Sequence, residues 1–112
     1  MPTVTVSVGS DASISCDPDT CDVGKTNGNV VIKWKMDNDA TSKLYEITAV
    51  TFPNGGTEFI DPGKDQGDGW KITDKNTLVG DYSYEVTVAL KSTGEKTNHD
   101  PVVRNGGRNQ QV

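Results

Sequence analysis

Soft metal ligands are scarce in these 112 residues, with one histidine and two cysteines in all. Structural zinc sites use about four Cys or His ligands, so a zinc centre would have to recruit carboxylates such as Asp17 or Asp22. Cations are also outnumbered: 11 Lys and Arg stand against 16 Asp and Glu, a net charge of −5. Lysines and acids are interspersed along the chain. Non-specific nucleic-acid binding and adhesion to anionic membranes both need clustered Lys and Arg, so neither is expected. No stretch approaches the roughly 20 apolar residues of a membrane helix. The opening segment, MPTVTVSVGS, has neither the basic start nor the apolar core of a secretory signal. A chain that begins natively at Met1 is therefore expected in the cytoplasm, whereas one trimmed from a longer precursor is compatible with export. Long-chain helix formers are few, and no run sustains a 3.6-residue period.

What the chain does have is alternation. Val4, Val6 and Val8 fall on one face of TVTVSV, and Ala12, Ile14 and Cys16 continue the pattern after a GSD turn. In NVVIKWKMD, Val30, Ile32, Trp34 and Met36 point one way while Lys33 and Lys35 point to water. KLYEITAVTF places Tyr45, Ile47 and Ala49 together, and YSYEVTVALK aligns Tyr82, Tyr84, Val86, Val88 and Leu90. TEFI, WKIT and KTNHDPVV read as shorter strands, the last at a sheet edge because Pro101 cannot donate a ladder bond. Twelve glycines and five prolines supply turns. The whole predicts an all-β, antiparallel sandwich of seven to nine short strands. Residues 1–104 form its single domain and 105–112 a flexible tail. The expected core is Val4, Val6, Ile14, Ile32, Trp34, Ile47, Trp70, Ile72, Tyr82, Tyr84, Val86 and Val88.

The stretch WKITDKNTLVGDYSYEVTV resembles the E-to-F region of immunoglobulin-like and fibronectin-type sandwiches. The likeness rests on Trp70, Ile72, Leu78 and Gly80-Asp81-Tyr82-Ser83-Tyr84. It implies that Tyr82 forms a tyrosine corner, its hydroxyl bonded to backbone a few residues upstream. It also implies that Cys16 and Trp34 match the strand B cysteine and strand C tryptophan. Tyr84 stands where the second cysteine would be, so no inter-sheet disulfide follows. Residues 12–36 are similar to the opening strands of cupredoxins. A copper site of that type needs two histidines and a cysteine, and His99 alone does not supply them.

Four features are candidates for chemistry. Cys16 and Cys21 enclose Asp17-Pro18-Asp19-Thr20, a turn sequence that would bring the thiols within reach of a disulfide, or leave them reduced in a cytosol. Asp61, Asp65 and Asp68 lie in the glycine-rich loop 61–70 and could serve calcium, although the spacing is not that of an EF-hand. Trp70, after that loop, could stack on a sugar, against the alternative of packing inward with Ile72. Val102 and Val103 could pair at an edge with a second copy or another chain. His99 has Asp100 beside it, but adjacent strand residues face opposite ways, so no catalytic pair is expected. The expected role is non-catalytic, with no enzyme activity and no cofactor: a module that displays loops or an edge strand to a protein partner. The alternative is a calcium- or carbohydrate-binding module using residues 61–70.

Overall fold

The structure, a computed structural model, describes residues 2–64 and 69–108. It is all-β apart from one turn of 3-10 helix at Ser42–Leu44. The strands are β1 (Thr3–Val8), β2 (Ile14–Asp17), β3 (Thr20–Thr26), β4 (Val30–Met36), β5 (Tyr45–Thr51), β6 (Phe59–Lys64), β7 (Trp70–Asp74), β8 (Gly80–Ser83), β9 (Glu85–Leu90), β10 (Lys96–His99) and β11 (Val102–Arg108). They form a five-stranded sheet, β2-β1-β4-β7-β6, and two three-stranded sheets, β10-β9-β5 and β3-β11-β8.

The two small sheets share one long hairpin. β9 and β10 pair antiparallel, and so do their continuations β8 and β11. The break falls at Tyr84 on one arm and Asp100-Pro101 on the other, where the Tyr84 amide still donates to the Pro101 carbonyl at 3.0 Å. Proline has no amide to extend the ladder, so each arm turns into a second sheet at this point. The strand expected to run unbroken from Tyr82 to Leu90 is thus two strands. KTNHDPVV is likewise divided into β10 and the start of β11.

The sheets are mixed, which corrects the expectation of wholly antiparallel pairing. β1 runs parallel to β4, with Val4 beside Trp34, and β3 runs parallel to β11, with Cys21 beside Val103. A parallel pair needs a crossover between its strands. Here β2 and β3 provide it: β2 ends in one sheet, the chain switches at Asp17–Thr20, and β3 joins another sheet before β4 returns beside β1.

Side chains from all three sheets meet in one core. Val4, Val6, Ile32, Trp34 and Ile72 come from the large sheet, and Ile47, Val50, Val86, Val88 and Val103 from the small ones; all are buried, as is Tyr84 at the hairpin break. Trp34 Nε1 donates to the Tyr84 hydroxyl at 2.9 Å, with the rings edge-to-face at 5.4 Å. Of the expected core residues, Ile14, Trp70 and Tyr82 are only partly buried. The segment expected to be a flexible tail from residue 105 instead continues β11 to Arg108, and Asn105 is buried.

Candidate interaction surface

The segment CDPDTC is a corner between sheets. Cys16 in β2 lies beside Val6 of β1, and Cys21 in β3 lies beside Val103 of β11. Both thiols are buried and unbonded, so of the two alternatives for this pair the structure has the free thiols and not the disulfide. The physical reason is that the turn links two different sheets and does not close a hairpin. Burial pushes the Cys16 thiol up to about 12, and the carboxylate of Asp19 adds to the shift. Cys21 is raised as well, by burial first and then by Asp22 and Asp74. The thiolate is the form that attacks electrophiles and binds metals, and both sites disfavour it. His99 Nε2 lies 2.9 Å from Asp19 Oδ1, so its partner is the corner and not the neighbouring Asp100.

Asp61 is exposed, and its Oδ1 accepts from the Gly63 amide at 2.8 Å and from Trp70 Nε1 at 2.9 Å. One carboxylate oxygen thus holds both the β6 bulge and the edge of the half-buried Trp70 indole. Asp65 and Asp68, the other two calcium candidates, lie outside the described residues. Among the described residues no three His, Cys, Asp or Glu side chains are grouped to hold a metal ion.

Val102 and Val103 are not at an edge. β11 is the central strand of its sheet, paired with β3 on one side and β8 on the other. A third strand has been added beside the hairpin arm, which local alternation cannot reveal. Among the described residues the outer strands of the sheets are β2, β6, β5, β10, β3 and β8. Of the two outer strands of the β10-β9-β5 sheet, β5 is the longer. It carries one acid, Glu46, engaged at 2.7 Å by Lys64, and an irregularity between Ile47 and Ala49.

The loop between β7 and β8 has properties that the sequence did not reveal. Leu78 is 62% exposed and Val79 76% exposed. The backbone beneath them is held from both sides. Glu58 is buried, and its carboxylate accepts from the Thr77 amide and the Thr77 hydroxyl at 2.5 and 2.9 Å. The Tyr82 hydroxyl donates to the Leu78 carbonyl at 3.3 Å, and its ring stands edge-to-face on Phe59, itself stacked on Phe52 at 3.8 Å. Leu78 entered the sequence reading only through the resemblance to immunoglobulin-like sandwiches, and Val79 was not singled out. Glu58 gave no signal because an isolated acid in a threonine- and glycine-rich stretch looks solvated.

A cleft of about 670 Å³ opens beside the end of β4, lined by Lys33, Lys35, Lys43 and Lys91 with Asp37. Lys33 and Lys91 already interact within the protein, and Asp37 contributes the opposite charge, so the cleft is not a bare cationic site. No family model matches this chain, and no curated protein does.

Proposed function

We propose that the chain is a non-catalytic interaction module, an immunoglobulin-like sandwich that presents the Thr77–Val79 loop to a protein partner. The observation that carries this reading is the pairing of exposure with restraint. Two adjacent apolar side chains face solvent on a backbone tied to Glu58 and Tyr82. A contact surface already held in one conformation loses less entropy on binding than a loose loop does.

Strand order supports the sandwich. Reading β4, β5, β6, β7, β9 and β10 as strands B to G puts B, E and D in one sheet and C, F and G in the other, as in immunoglobulin domains. On that alignment Trp34 belongs to strand B and not strand C, and Tyr84 lies at the start of strand F. Their hydrogen bond spans the sheets close to where antibody domains carry a disulfide. The Tyr82–Leu78 bond matches the tyrosine corner in kind.

The test is comparative capture from the native host, with wild type against Leu78→Asp and Val79→Asp. The reading expects a protein retained by wild type and lost from both variants, with circular dichroism unchanged. Retention of every partner by folded variants sinks it. The calcium reading of residues 61–70 is checked on the same material: a calcium-dependent rise in the wild-type melting midpoint would favour it by mass action. Light scattering across a concentration series checks pairing of two copies through the open edge of β5, which a constant monomer mass excludes.

A further inference from the structure

Where β7 ends, Asp74 and Asn105 are buried, at 0% and 1% exposure. Asn105 Nδ2 donates to Asp74 Oδ1 at 3.0 Å, and the Asn76 amide donates to the same oxygen at 2.9 Å. The second carboxyl oxygen of Asp74, Oδ2, and the amide oxygen of Asn105, Oδ1, have no donor. A buried acceptor left without a donor keeps its full desolvation penalty. Two such acceptors on side chains already bonded to each other suggest one missing hydrogen.

The neighbouring titratable groups do not supply it. Glu58, on the segment before β6, presents a like charge to Asp74. Among the described residues, Cys21 from β3 and Tyr82 from β8 also feel its charge. Arg108 of β11 is engaged elsewhere, through Nε to the Lys75 carbonyl and through its terminal nitrogen to Asn29. A hard cation such as calcium would need about six oxygens, and no three-member ligand group is present among the described residues.

We propose that Asp74 folds as the neutral acid, donating from Oδ2 to Asn105 Oδ1, and that this acid–amide pair is a pH-sensitive fastening between β7 and the β3–β11 pair. With the proton in place, Asn105 donates to Asp74 and Asp74 donates back, so both orphan oxygens are satisfied. On ionisation the Oδ2 proton passes to solvent and a negative charge is left beside Asn105 Oδ1 and Glu58. Burial works in the same direction, holding Asp74 above the ordinary carboxylate range, although the Asn76 and Asn105 hydrogen bonds oppose it. The effect reaches β3 and β11 through Asn76, whose side chain bonds the Gly24 carbonyl, the Thr26 hydroxyl and both the amide and carbonyl of Gly107. A folded-state pKa above the unfolded one means the stabilisation is complete below the unfolded value. It is lost as pH rises through the folded value.

The test is a carbon-detected NMR titration of the Asp74 carboxyl in the intact chain. The expected midpoint lies clearly above the ordinary aspartate value of about 3.9, in the direction that burial pushes it. Asp74→Asn supplies the same donor without the proton. Its melting midpoint should match wild type on the acid side of the titration and exceed it on the alkaline side. An ordinary Asp74 midpoint overturns the proposal, as does an Asp74→Asn variant that melts lower than wild type by the same amount at every pH. A calcium- or sodium-dependent melting shift in wild type that Asp74→Asn abolishes would also overturn it, by assigning the two oxygens to a cation. If Asp74→Asn does not fold, the wild-type titration still decides.

Discussion

Trp34 and Tyr84 are the largest fully buried side chains, and each satisfies the other's polar atom. A buried indole N–H without an acceptor would cost about 1–3 kcal/mol; the tyrosine hydroxyl meets that need from across the core. The cysteines nearby work differently, as small apolar fillers on β2 and β3. Their raised pKa values follow from burial, and they predict inert thiols. At pH 8 the native protein should react with a chromogenic disulfide reagent far more slowly than free cysteine does, and unfolding in denaturant should release two fast-reacting thiols. Native thiols that react at the free-cysteine rate would contradict the burial. An unfolded, unreduced chain with none would restore the disulfide.

At the scale of elements, the parallel contact between β3 and β11 depends on glycine. A Cβ at Gly106 would stand 2.5 Å from the carbonyl carbon of Gly24, 2.7 Å from its oxygen and 2.8 Å from the Lys25 nitrogen. All three are backbone atoms, so no side chain can move aside to make room. Gly106→Ala should therefore force the two strands apart and cost about 3 kcal/mol, the upper end of the usual range for overpacking. A urea titration measures this, and a midpoint equal to wild type would mean that β11 does not approach β3 so closely. Asn105 and Gly106 belong to RNGGR, a run with the composition of a loose tail. Composition reports what a segment favours when unpacked, and here the fold uses asparagine for a buried bond and glycine for close approach. The run DKN was equally opaque. Asp74 and Asn76 have the residue types of a surface turn, yet both are fully buried. Their polarity is legible in the sequence, but their satisfaction by β3 and β11 is not.

At the scale of the molecule, strands from both ends of the chain are built into the sheets. β1 lies between β2 and β4, and β11 lies between β3 and β8. Removing residues 102–112 should leave β3 and β8 without a neighbour and take Val103 out of the core. Cooperative thermal unfolding should then be lost, as read by near-ultraviolet circular dichroism; a sharp transition in the shortened chain would show that β11 is dispensable. Pairings between segments so far apart in sequence also carry a large loop-closure entropy, which slows folding.

Alternation of apolar and polar residues was enough to specify strands and the faces they bury. Val4, Val6, Ile32, Trp34, Ile47, Ile72, Val86 and Val88 were all legible as core because a strand's side chains alternate whatever lies beside it. Neighbours are another matter. That β1 pairs in parallel with β4 and β3 with β11, that the long hairpin divides between sheets at Tyr84 and Pro101, and that CDPDTC turns a corner all depend on where distant segments come to rest. Packing also set the character of the surface, since Leu78 and Val79 stand exposed on a backbone that Glu58 and Tyr82 hold from beneath. Period and composition are local properties of the chain, whereas strand partners, buried charges and held loops arise between residues far apart along it.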